Sequence, residues 1–144
     1  MKNKPFRPHL SQTETLLQKM WKDITVGVKP QIKCDECITG RITPALKTKL
    51  TKKINLLIKD CQSFKIGKTG DAYIRCDKKD YRDVFSEMHL LYKSKSESNV
   101  SNLEEEYIEK YFFHSQTQNK RIKSPGKTMS TYDGYYCLYI IINT

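Results

Sequence analysis

Apolar residues recur every three or four positions through Leu46, Leu50, Ile54, Leu57, Ile58 and Cys61. That period predicts an amphipathic helix. Thr43 followed by Pro44 has the form of an N-cap and a first-turn proline, so the helix should span about 44–61. A second periodic run, Leu16, Leu17, Met20, Trp21 and Ile24, follows Ser11 and Glu14 at capping-box spacing and predicts a helix over 12–24. Ser101 and Glu104 repeat that spacing, and a third helix is expected over 102–114. Its apolar face carries Leu103, Tyr107, Ile108, Tyr111 and Phe112. Glu104 falls in the middle of that face, while Glu105 and Glu106 turn toward solvent. A carboxylate aimed at a core is costly unless a donor, a cation or a metal satisfies it. The plainer alternative is that Glu104 folds back to cap its own helix.

Strand patterns fill the remainder. Phe64, Lys65 and Ile66 alternate and run into Gly67, which predicts a short strand and a turn. Residues 67–71 form a Gly-bounded stretch with Lys68 and Thr69, suited to close approach of a phosphate. A helix should follow over 72–80, with Asp71 as N-cap and Arg75 one turn in. Residues 84–92 read as a strand. Residues 134–143, apolar on both faces, read as a buried strand closing the sheet. Residues 1–10 form a basic, proline-containing arm, 26–38 a loop or short strands, and 93–102 and 115–133 polar loops. The order predicts an α+β domain over 62–144: a small antiparallel or mixed three-stranded sheet flanked by helices, preceded by a basic helical region over 1–61.

The 144 residues are 38% hydrophobic and 29% charged, which permits one lean core. No run approaches the roughly 18 apolar residues of a membrane span, and the N-terminus has no apolar signal core. The expectation is an intracellular chain, nuclear or cytoplasmic rather than secreted, with no membrane partner. A net charge of +10 favours polyanionic partners. Nine tyrosines and five phenylalanines among the basic residues favour DNA or RNA over lipid, since cations hold phosphates and rings stack on bases. Lys47, Lys49, Lys52, Lys53 and Lys59 line the outer side of the 44–61 helix, either as a solvated face or as a phosphate-tracking ridge. Five cysteines, an odd number, are expected as unbridged thiols. Cys34 and Cys37 form a CxxC, which is only half of a zinc ligand set; with Cys61, Cys76 and Cys137 scattered and no histidine pair, the cysteines are expected to be structurally incidental rather than zinc ligands.

Lys65-Ile66-Gly67-Lys68-Thr69, with Arg75 beyond it, resembles the second half of the GIY-YIG nuclease signature. Leu103-Glu104-x-x-Tyr107-Ile108 is similar to that family's catalytic-glutamate helix, and Asn119 falls where the family tends to carry an asparagine. The lysine-first form, KIGKT, is similar to the viral and phage-associated branch. The resemblance covers roughly residues 62–122. It implies metal-dependent phosphodiester hydrolysis, with Glu104 as ligand to Mg²⁺ or another divalent cation and Arg75 as the phosphate clamp. Lys79 stands where many members carry a histidine. A carboxylate-held cation polarises a phosphoryl oxygen, and a guanidinium opposes developing charge.

Two departures shape the expectation. No GIY strand precedes Phe64, and the tyrosine of YIG is Lys65 here. The only GIY-like stretch is Gly134-Tyr135-Tyr136 at the far end of the chain. A permuted sheet, with the C-terminal strand beside residues 64–66, would return a tyrosine to the site. Tyr135 is the first choice and Tyr136 and Tyr139 stand close by, though ordinary strand packing accounts for them equally well. The catalytic set is then Arg75, Glu104, Tyr135, Lys79 and Asn119. Nucleic acid would be gripped by Lys47, Lys52, Lys53, Lys65, Lys68, Thr69, Lys120, Arg121 and Lys123. The alternative function is a catalytically degenerate module of the same fold, binding DNA or RNA within a larger complex of protein subunits.

Overall fold

A computed structural model describes residues 27–34, 37–121 and 129–144. The helix expected over 12–24, the basic arm and Lys123 lie outside the described residues. Within them the protein is α+β, with three helices on a four-stranded mixed sheet. The strands are β1 (Gln31–Lys33), β2 (Ser63–Thr69), β3 (Glu87–Ser94) and β4 (Tyr136–Asn143). The helices are α1 (Pro44–Ile58), α2 (Ala72–Cys76) and α3 (Glu97–Lys110). The sheet order is β1-β3-β4-β2. β1 runs parallel to β3, and β4 pairs antiparallel with both β3 and β2. β1, from a stretch that offered no clear period, is the strand added to the expected three.

The C-terminal strand does lie beside residues 64–66, in unbroken register from Ser63 opposite Asn143 to Thr69 opposite Cys137. Because β4 is central, both its faces are covered, which is why 138–142 is apolar throughout. Leu138, Ile140 and Ile142 face the larger core with Leu46, Leu50, Ile54 and Ile58 of α1 and Val100, Leu103, Tyr107 and Ile108 of α3. Tyr139 and Ile141 face a smaller cluster with Cys76, Tyr81, Phe85 and Met88. A boundary at residue 61 would divide one core, since α1 supplies a layer of the larger cluster and β1 pairs in the same sheet.

Three local expectations change. β2 continues through Gly67, Lys68 and Thr69, so the first three residues of the stretch expected as a phosphate loop over 67–71 are strand, held by cross-strand pairing as far as Cys137. α2 stops at Cys76, shorter than 72–80, although Asp71 does cap it by accepting from the amides of Tyr73 and Ile74. α3 begins at Glu97 rather than 102, because Ser96 takes the N-cap and accepts from the Asn99 amide. Ser101 therefore lies inside the helix and caps nothing. Tyr111 is the C-cap, and the chain turns beyond it.

Candidate active site

The start of α3 decides the status of Glu104. With Ser96 as N-cap, Glu104 stands two turns into the helix, beyond reach of the capping position. Its helical phase is that of Val100, Leu103, Tyr107 and Ile108, all buried, and Glu104 itself is only 6% exposed. The helix thus carries a carboxylate in a slot that packing reserves for apolar side chains.

Glu104 lines a cavity of about 360 Å³ at the outer edge of β2. Lys65, Ile66 and Gly67 of the strand form its floor, Arg75 of α2 and Tyr81 stand on one side, and Ile108 stands with Glu104 on the other. Residues 118–121 close it, and Tyr139 of β4 reaches in from the neighbouring strand. An edge strand allows this convergence because side chains from both faces of the sheet can meet around it.

Tyr139 arrives by way of a glycine. It pairs opposite Gly67, and a Cβ on Gly67 would collide with the Tyr139 hydroxyl and ring. The missing side chain lets the phenol lie across β2. Its hydroxyl bonds that of Tyr81 at 2.7 Å and also pairs with Arg75. Burial and the Tyr81 phenol hold the Tyr139 hydroxyl well above its ordinary range, while Arg75 pulls the other way. Tyr139 is therefore a neutral phenol at pH 7. The Lys65 ammonium is pushed down, first by burial and then by Lys78 and Arg75. Lys65 and Lys78 both stand over the Tyr81 ring, at 5.7 and 5.6 Å.

The residues expected from the sequence divide. Arg75, Glu104, Lys65, Asn119, Lys120 and Arg121 share the cavity. Asn119 spends its side-chain amide on β2: its oxygen accepts from the Ile66 amide at 2.9 Å and its nitrogen donates to the Ile66 carbonyl at 2.8 Å. With Phe64 donating to Gln116 and accepting from Gln118, this covers the strand's open edge. Asn119 accordingly places Lys120 and Arg121 and reaches the cavity as a brace.

Other expected residues lie elsewhere. Tyr135 precedes β4 and lines a different cavity, with Lys93 and Lys95 over its ring at 4.6 and 5.4 Å. Four residues of extended chain separate it from Tyr139, roughly 13 Å along the strand. Lys79 is exposed in the turn after α2 and is not among the cavity's lining residues. Lys68 crosses to the α3 side and donates to the Ser101 hydroxyl at 2.7 Å. Thr69 is buried, its hydroxyl bonded to the Asp71 backbone, so it offers no phosphate contact. Lys47 is paired with Glu106 at 2.8 Å, which raises its affinity for its proton and occupies it. Lys52 and Lys53 flank a separate groove beside residues 37–39.

Tyr81 escaped sequence reasoning, since nothing periodic surrounds it. Tyr139 was visible only as one of three tyrosines, and its pairing with Gly67 is a property of strand register. Comparisons against protein-family models, curated proteins and solved structures gave no match to this chain.

Proposed function

We infer that this chain is a metal-dependent phosphodiesterase acting on nucleic acid, of GIY-YIG endonuclease type. The observation carrying this reading is the gathering of a buried carboxylate, a guanidinium and a hydrogen-bonded phenol around one open cavity: Glu104, Arg75 and Tyr139. Mg²⁺ commonly takes one or two carboxylates and completes its shell with water and substrate phosphate. Glu104 fits as a hard oxygen donor of that kind. The described residues hold no group of three His, Cys, Asp or Glu that could hold a metal ion, so a cation here would depend on the substrate for further ligands. When bound, the cation would act as Lewis acid on the phosphoryl oxygen.

The chain's own residues supply the remainder. The Arg75 guanidinium faces the space a phosphate would occupy and opposes charge developing there. Tyr139, kept protonated by burial and by Tyr81, presents a fixed hydroxyl to orient a water or hold a proton at Oη. Lys65, Lys120 and Arg121 surround the same cavity and would hold neighbouring phosphates. A second reading, a DNA- or RNA-binding subunit without hydrolysis, is favoured by the balance of charge in the cavity, where those three cations and Arg75 face the one carboxylate of Glu104.

The deciding experiment incubates plasmid DNA and a structured RNA with Mg²⁺, beside the Glu104→Gln variant. The expected result is cleavage that falls about 100-fold or more in the variant, with binding retained. Equal cleavage by both proteins would remove Glu104 from the mechanism. Salt-sensitive binding with no cleavage by either would establish the second reading.

A further inference from the structure

The CxxC supplies only half of a ligand set in sequence, and the sheet brings it a third thiol. Cys137 pairs with Lys93 of β3 and with Thr69 of β2. Ile38 bridges Tyr92, the residue before Lys93, from the other side of β3. Cys37 and Cys137 therefore flank the same end of one strand, although 100 positions separate them in the chain. Cys34, Cys37 and Cys137 line one cavity of about 350 Å³, together with Asp71, Asp133 and Lys93. All three thiols are unbridged: Cys34 is exposed, and the other two are half-buried.

Cys34 and Cys37 stand near enough to Cys137 to act on its thiol electrostatically. Lys53 and Lys93 act in the same way on Cys37. A soft divalent ion binds thiols by displacing their protons. Lys53 and Lys93 would offset the surplus negative charge of three thiolates around a dication.

We propose that Cys34, Cys37 and Cys137 bind a single thiophilic divalent cation of the Zn²⁺ class, with Asp133 or a water as fourth ligand. Binding releases three thiol protons to solvent and forms three sulfur–metal bonds, with no change of oxidation state. The described side chains do not already stand as a group of three ready to hold an ion, so the ion would draw the Cys34 and Cys37 side chains toward Cys137. The site would tie the residues after β1 to the start of β4. It would do so beside Gly70 and Asp71, which line the same cavity, Asp71 being the N-cap of the helix bearing Arg75. Its role is that of a brace, separate from the Glu104 cavity and independent of any hydrolytic activity.

The test is a Co²⁺ titration of the full chain, stripped of metal under reducing conditions. The expected result is one Co²⁺ per chain, with tetrahedral visible bands and a sulfur-to-metal charge-transfer band. Cys137→Ser should lose about a third of the charge-transfer intensity, or all of it, and bind Zn²⁺ at least roughly tenfold more weakly in competition. Cys34→Ser, altered at an exposed position, should do the same. Cys61→Ser, altered in the larger core, should leave the spectrum unchanged. Absence of the bands in the wild-type chain overturns the proposal, and so does a spectrum that neither Cys34→Ser nor Cys137→Ser alters.

Discussion

The two faces of the sheet use tyrosine in opposite ways. On the α1–α3 face, each buried phenol ties one element to another. Tyr107 donates to the Lys47 carbonyl at 2.8 Å, Tyr111 to Asn55 at 2.6 Å, and Tyr92 to the Gly40 carbonyl at 2.6 Å. Their partners are neutral groups of α1 and the segment before it, and the surrounding core is largely aliphatic, with Phe64 edge-on to Tyr111. On the α2 face, Tyr81 and Tyr139 bond each other, with Arg75 and Lys65 beside them and an open cavity beyond. A phenol satisfied by a backbone carbonyl serves as a fastener. A phenol bonded to another titratable group next to open space is the arrangement on which the proposed chemistry rests. The difference lies in the partner and the neighbouring volume.

This division can be broken most sharply by comparing Ile54→Ala with Tyr139→Phe. Ile54 is fully buried in the larger cluster, and its truncation should cost about 2–5 kcal/mol in denaturant unfolding. Tyr139→Phe keeps the ring and loses one hydroxyl, so it should cost only about 1–2 kcal/mol. Any cleavage activity should nevertheless fall about 100-fold in the phenylalanine variant, and stay within twofold in folded Ile54→Ala. Equal stability losses, or an active Tyr139→Phe, would erase the distinction between the faces.

Next in size is Gly67→Ala. The added methyl must displace the Tyr139 ring, which the Tyr81 bond and burial hold in place. Overpacking of this kind costs about 1–3 kcal/mol. Combining it with Tyr139→Ala, which vacates the space, should recover much of the glycine substitution's own cost. A double-mutant cycle measures that coupling. Additive losses would show that the ring does not depend on the glycine.

The smallest effect is one of alkaline pH. A phenol whose folded pKa lies above its unfolded value keeps its proton in the native state after the unfolded chain has lost its own. Tyr139, Tyr107 and Tyr111 are all shifted in that direction, first by burial. Stability should hold through neutral pH and decline as pH climbs past about 10. Tyr139→Phe should make that decline shallower without removing it, because the fasteners on the other face titrate in the same sense. Denaturant midpoints between about pH 9 and pH 11 would reveal the slope, and identical slopes would remove Tyr139 from the set.

Local signals in the sequence were enough for the periodic elements. The 3.6-residue recurrence from Leu46 to Ile58 and the Thr43-Pro44 pair located α1, and the continuous apolar run located β4. The inward phase of Glu104 was legible in the same way, because helical phase depends only on spacing. Of the loop expected over 67–71, residues 67–69 are strand because cross-strand pairing with β4 outweighs the turn preference of glycine. α3 starts earlier than expected because Ser96 rather than Ser101 holds the N-cap, its hydroxyl accepting from the Asn99 amide.

What the chain determined by itself, then, is which residues repeat and on which side of a helix or strand they stand. Tertiary structure alone decided that Tyr139 rather than Tyr135 shares a cavity with Arg75 and Glu104, that Tyr81 joins them, and that Cys137 lines one cavity with the CxxC cysteines. These are consequences of register and strand order. The pairing of β2 with β4 is fixed by contacts between residues more than 65 positions apart, and no local pattern encodes a contact at that distance.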